Sequence, residues 1–210
     1  MSKTRLADRM GGARPSATLA MDARAKQLAA EGKTIYNLTA GELAADTPEY
    51  IQTAVSKKLH HNKYTPVAGL PALREEIAAK ARDFYSLDWI QPANVVVTAG
   101  SKPALHASLM ALINPGDEVI VPVPAWVSYN SLIELAGGKV VEVPLTEGFD
   151  LDPEAIAQAL TAKTRAIIIS SPNNPTGAVY SRQALEATAG KLKDSGVTVI
   201  ADDIYAKLVY

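Results

Sequence analysis

The sequence predicts an α/β protein of three layers, α/β/α, with helices on both faces of a mostly parallel sheet. From Pro92 onward, apolar strand-like runs alternate with stretches of helical spacing, the pattern of successive strand–helix–strand units. The runs at 95–97, 167–169 and 197–200 are rich in β-branched residues and nearly unbroken, as in strands covered on both sides. Composition agrees: 210 residues, 48% hydrophobic and 20% charged, suit one large globular domain, or one domain and part of another.

The elements follow in order. The first fifteen residues carry Arg5, Arg9, Arg14, Gly11, Gly12 and Pro15 and read as a mobile arm. From Ser16 the spacing of Leu19, Ala23, Lys26 and Ala30 predicts a helix that stops at Gly32, with a short strand at 34–38 after it. Thr47 and Pro48 form an N-cap and first-turn pair for a helix running to about Leu59. Pro71 opens another, with Leu73, Ile77, Ala81 and Phe84 on one apolar face. Strands are then expected at 94–98, 118–121, 139–143, 165–170 and 197–201, and helices at 102–112, 127–136, 153–160 and 182–194. There is no internal repeat and no low-complexity segment.

Several function classes drop out. Lys and Arg number 21 against 22 Asp and Glu, a net charge of −1, and nucleic-acid binders depend on an excess of cations. With no cysteine, disulfides, thiolate metal sites and cysteine nucleophiles are excluded, and a reducing cytoplasm is the expected location. The uncharged run at 119–133 is 15 residues long and is interrupted by Pro122, Pro124, Ser128 and Asn130, whereas a membrane span needs about 20 apolar residues. The N-terminus lacks the apolar core of a signal peptide. His60, His61 and His106 have no metal-ligand spacing, so no metal site is expected. Neither a G-x-x-x-x-G-K-[ST] loop, a G-x-G-x-x-G turn nor a G-x-S-x-G elbow occurs.

In open α/β sheets ligands bind beyond the carboxyl ends of the strands, so the residues that follow each run matter most. Gly100, Ser101 and Lys102 follow the first run and open a helix. They offer unpaired backbone N–H groups, a hydroxyl and the positive end of the helix dipole, an outline of a phosphate site that also fits a simple capped turn. Trp126 follows the second, held by Pro122 and Pro124, and is suited to stacking on a planar ligand or to packing. After the fourth comes Ser171-Pro-Asn-Asn-Pro-Thr-Gly177, a dense turn that fixes the amide of Asn174. The fifth ends in Asp202 and Asp203, one of which should face a cation, because an unpaired buried carboxylate costs several kcal/mol.

The ordered set AGSKP (99–103), PAW (124–126), SPNNPTG (171–177) and ADDIY (201–205), with PSAT (15–18), NLTAGE (37–42) and KYTPVAGLPALRE (63–75), resembles the class I and II aminotransferases. These are pyridoxal-phosphate enzymes of fold type I. The resemblance implies a cofactor-phosphate loop at Gly100, Ser101 and Lys102, a stacking ring at Trp126, and hydrogen bonds from Asn174 and Tyr205 to the ring's phenolic oxygen. It implies Asp202 on the ring nitrogen, Tyr64 on the phosphate of a neighbouring subunit in a homodimer, and substrate contacts from Gly41, Ser16, Lys102, Trp126 and Asn174. Asp202 is preferred over Asp203 because Tyr205 completes a D-x-x-Y pattern and Asp203 would point to the other face of the strand.

The implied division is an N-terminal arm and part of a small domain at 1–45, then a cofactor-binding large domain from 46 to 210. Ala40-Gly-Glu-Leu-Ala-Ala-Asp46 departs from the family's AGE-P-aromatic run, and Pro103 stands where a polar residue is common. The family's Schiff-base lysine and its substrate-carboxylate arginine are expected beyond residue 210, so the large domain would be incomplete here and the chain inactive alone. The implied activity is transfer of an amino group between an amino acid and a 2-oxo acid. Lys102 and Ser16 favour aspartate or glutamate. A carbon–sulfur lyase or synthase of the same fold, and a non-catalytic dimerisation module, are the alternatives.

Overall fold

The computed structural model describes residues 5–8, 10, 17–38, 41 and 45–209. The chain divides into two compact units, one of described residues 17–100 and one centred on 101–209.

The second unit is the α/β domain that the sequence predicts. Its elements alternate as α4 (Ser101–Leu112), β1 (Glu118–Val123), α5 (Ser128–Leu135), β2 (Lys139–Pro144), α6 (Pro153–Ala159), β3 (Thr164–Ser170), α7 (Arg182–Leu192) and β4 (Thr198–Asp202). All four strands are parallel, in the order β2-β1-β3-β4. Apolar residues point alternately to two helical layers, as strand geometry requires. Val119 and Val121 of β1 and Ala166 and Ile168 of β3 pack on Leu105 and Leu109 of α4 and Leu132 and Ile133 of α5. Ile120 and Ile167 face the opposite way, against Ile156 of α6 and Ala184 and Leu192 of α7. Asp152 caps α6 by accepting the N–H groups of Glu154 and Ala155, and Ser181 caps α7 by accepting that of Ala184.

The strand over 197–200 departs from expectation. β4 pairs only with β3 among the described residues, and Thr198, Val199 and Ala201 are exposed, so within these residues the run is not covered on both faces.

The first unit departs more. It contains α1 (Ala17–Ala30), α2 (Glu49–Lys58) and α3 (Pro71–Tyr85), with no strand among its described residues. The expected strands at 34–38 and 94–98 find no ladder partner here; Pro92–Asn94 forms a single 3₁₀ turn. Pro48 is the N-cap of α2 and not its first residue, and no side chain caps it, so Thr47 does not play that part. In α1 the face with Leu19, Ala23, Lys26 and Ala30 is exposed, while Asp22, Ala25 and Leu28 are half-buried.

In α3 the expected apolar face is likewise exposed at Leu73, Ile77 and Phe84, and Ala78 is the buried residue. The helix instead turns its arginines toward 90–95: Arg74 Nε donates to the Val95 carbonyl at 2.9 Å and Arg82 to that of Ile90 at 2.7 Å. These bonds, with Val97 N–H to Ala68 C=O at 3.0 Å, satisfy backbone groups that a sheet would otherwise pair.

Gly69 permits that docking. Its φ is +104°, and a Cβ there would lie 2.6 Å from Val97 Cγ2. Gly69→Ala is therefore expected to lower stability by about 2 kcal/mol or more, through backbone strain and overpacking together. A denaturant midpoint unchanged from wild type would contradict this docking.

Candidate functional site

Chain order places a cleft at the carboxyl ends of the strands. From β1 the chain steps to β2 on one side, then crosses to β3 on the other, and such a reversal opens a crevice beyond the strand ends. Ser101, Trp126, Tyr129, Ser170, Asn174, Asp202, Ile204 and Tyr205 line a cleft of about 130 Å³ there.

Asp202 ends β4 and Ser170 ends β3, and the two are direct ladder partners. Asp202 is buried, 8% exposed, whereas Asp203 is exposed. Neutral donors of the protein reach the Asp202 carboxylate. Tyr129 Oη donates to Asp202 Oδ2 at 2.8 Å, and the Ile204 N–H to Oδ1 at 3.3 Å. Two hydrogen bonds thus offset part of the cost of burying the carboxylate. The Tyr129 phenol is raised above its ordinary pKa, chiefly by burial and then by the hydrogen bond to Asp202 and the charge on it, so it stays protonated and a donor.

Tyr129 escaped the sequence reading. The available signal was its place in the first turn of α5, three residues after Trp126, but helical spacing marks it equally as a core residue. It is both, since its ring is buried with Leu132 and Ile133 and meets Trp126 edge-on, centroids 5.3 Å apart.

Trp126 is half-buried beyond β1, and Lys102 Nζ lies 4.9 Å from its ring centroid, within cation–π range. The loop at 171–177 is tied down by Asn173, whose Nδ2 donates to the Pro124 carbonyl and to Thr176 Oγ1, both at 3.0 Å. This holds Asn174, whose Nδ2 is 3.4 Å from Tyr205 Oη. Ser101 begins α4, where the helix presents unsatisfied N–H groups. The preceding Gly100 closes the other unit with φ +93°, a conformation that favours glycine. Gly41 and Tyr64 also belong to that unit, and both are exposed. Ser16 lies outside the described residues. The three histidines are exposed, and no cluster of potential metal ligands occurs among the described residues.

The residue types match pyridoxal phosphate in kind. An indole offers a flat face, an amide and a phenol offer donors, a buried carboxylate suits a protonated ring nitrogen, and a helix N-terminus suits a phosphate. A parallel α/β sheet with such a cleft at its switch point has the layout in which α/β domains take small ligands.

The comparisons with known proteins agree. Residues 33–210 match the model of the family "Aminotransferase class I and II", and the chain belongs to that family. It is 44% identical to an aspartate aminotransferase of Geobacillus stearothermophilus, over 98% of this chain and 53% of that protein. It is also 44% identical to an aspartate/prephenate aminotransferase of Thermus thermophilus, over 98% of this chain and 54% of the relative. A solved aspartate aminotransferase from Thermus thermophilus with maleate superimposes with a TM-score of 0.94 at 43% identity, covering 99% of this chain and 55% of that one. The chain thus spans about half the length of the curated relatives it matches.

Asn173→Ala would leave the Pro124 carbonyl without this donor and Thr176 Oγ1 with only the Ala178 N–H. A loss of about 1–3 kcal/mol in chemical denaturation is expected. A variant as stable as wild type would show that the loop does not depend on this amide.

Proposed function

We propose that the protein is a pyridoxal-phosphate-dependent aminotransferase of the aspartate type, moving an amino group between an amino acid and a 2-oxo acid. The observation that carries this is the single cleft in which buried Asp202, the Asn174–Tyr205 pair, Trp126 and the start of α4 come together. Bound there, the cofactor would supply an electron sink for charge developing at the substrate Cα. Asp202 would hold a proton on the ring nitrogen, Asn174 and Tyr205 would hydrogen-bond the phenolic oxygen, and Trp126 would fix the ring plane. Gly100, Ser101 and Lys102 would hold the phosphate. Gly41, Ser16, Trp126, Asn174 and Lys102 would orient the substrate. Lys102, as a cation beside Trp126, supports a dicarboxylic substrate such as aspartate, in keeping with the names of the relatives.

In this reading no lysine among these 210 residues takes the covalent link to the cofactor. Lys207 is too near Tyr205 on the same segment, and the 210 residues alone are expected not to transaminate. The division into an arm with part of a small domain (1–45) and a large domain (46–210) belongs to the same proposal. So does a cytoplasmic setting, supported by the cysteine-free composition. No helix among the described residues is long and apolar enough to cross a membrane.

The test uses the protein at its natural length, assayed with aspartate and 2-oxoglutarate. Asp202→Ala is expected to cut turnover by roughly 10³-fold or more by removing charge stabilisation from the transition state, while Asp203→Ala stays within a few-fold of wild type. The reverse ranking would overturn the assignment of Asp202. Elimination from a β-substituted amino acid without transfer to the oxo acid would point to a lyase instead.

Homodimerisation is part of the proposal, with Tyr64 serving the neighbouring subunit's phosphate. Tyr64 and Val67 stand fully exposed, and Leu70 is 51% exposed, which supports a covering partner. Sedimentation at micromolar concentration should show a dimer; a stable, fully active monomer would overturn this.

A further inference from the structure

We propose that Tyr129 is a positioning residue of this site: its phenol holds Asp202 by Oδ2 in one orientation at the wall of the cleft. The inference rests on the cofactor reading above and adds to it a residue that does not itself meet the cofactor ring.

The contact joins separate elements, α5 and the end of β4, across 73 positions of sequence, and both residues are buried. Asp202 receives one donor on each oxygen. The phenol bond, at 2.8 Å, is the shorter; the backbone bond from Ile204, at 3.3 Å, is the weaker constraint. Without the phenol, rotation of the carboxylate is opposed only by that longer bond.

Tyr129 is itself held on three sides. Its ring is locked among Leu132, Ile133 and the β1 and β3 side chains, and it stands perpendicular to Trp126. The Ser170 hydroxyl lies beside the phenol from β3. The ionisable groups felt by the phenol are Asp202 from β4 and, more weakly, Tyr180 from the segment before α7. Burial pushes the Tyr180 phenol up to about 12, with the charge of Asp150 adding to it, so Tyr180 stays neutral too. One side chain therefore sets the carboxylate proposed for the ring nitrogen and also buttresses the indole proposed to stack on the ring. A core tyrosine with no such duty would need only its ring.

Tyr129→Phe separates the two roles, since it keeps the ring and deletes the hydroxyl. On the protein at natural length, pyridoxal-phosphate affinity is measured by absorbance titration, with steady-state kinetics and the pH dependence of the bound cofactor's spectrum. Y129F is expected to weaken cofactor binding roughly tenfold, to lower kcat more than it raises KM, and to shift the spectral pH profile. In an Asp202→Asn background the same change should do less than about twofold, because partners in one interaction are not additive.

Y129F within twofold of wild type, or equally damaging with and without Asp202, would overturn the inference and leave the cofactor reading standing. Wild-type protein that binds no pyridoxal phosphate would overturn the cofactor reading itself. Should Y129F fail to fold, Ser170→Ala is expected to give a smaller loss of affinity that likewise vanishes with Asp202→Asn; a loss that persists there would count against the inference.

Discussion

Ser170 and Asp202 are ladder partners at the last positions of two parallel strands, and that register sets the geometry around them. Side chains alternate along a strand, so a slip of one residue in β4 would turn Asp202 to the α6/α7 side and bring Asp203 toward Tyr129. The register is fixed from below by apolar packing. Ile168 and its partner Ile200 lie on the α4/α5 side, and Ile167 lies on the other with α6 and α7. The cleft is thus aligned by residues that do not line it.

The loops add the remaining precision. Asn173 straps the 171–177 turn to Pro124, which joins the end of β3 to the end of β1, and Tyr129 joins α5 to the end of β4. Two buried side chains thus tie the end of β3 to that of β1 and the end of β4 to α5. The cleft is therefore assembled on its scaffold by hydrogen bonds that belong to the protein itself.

The α/β domain was legible in the sequence because its local signals and its tertiary contacts agree. Ile167, Ile168 and Ile169 read as a strand and sit in one, and the helices expected from 153 and 182 begin at Pro153 and Arg182. Strand ends and a dense turn point to Asp202, Asn174 and Trp126, and the family resemblance to Tyr205; the structure brings all four to one cleft. Tyr129 was not legible, since a buried donor and a packing ring look alike until the acceptor is known.

The first unit was read less well because its signals depend on partners distant in sequence. Residues 94–98 have strand composition, but composition cannot supply a neighbouring strand. Arg74 and Arg82 have the look of solvated charges, yet each reaches a backbone carbonyl. The apolar stripe on α3 reads correctly as a stripe, but nothing in its spacing says what should cover it.

β4 also has a consequence for handling. Its outer margin presents a row of backbone donors and acceptors beside the exposed Val199, with no proline, lysine or bulge to blunt it. Such a margin recruits whatever extended chain is nearest, including its own copies. An extended segment that paired there would cover Val199 as well as satisfy the backbone groups of β4.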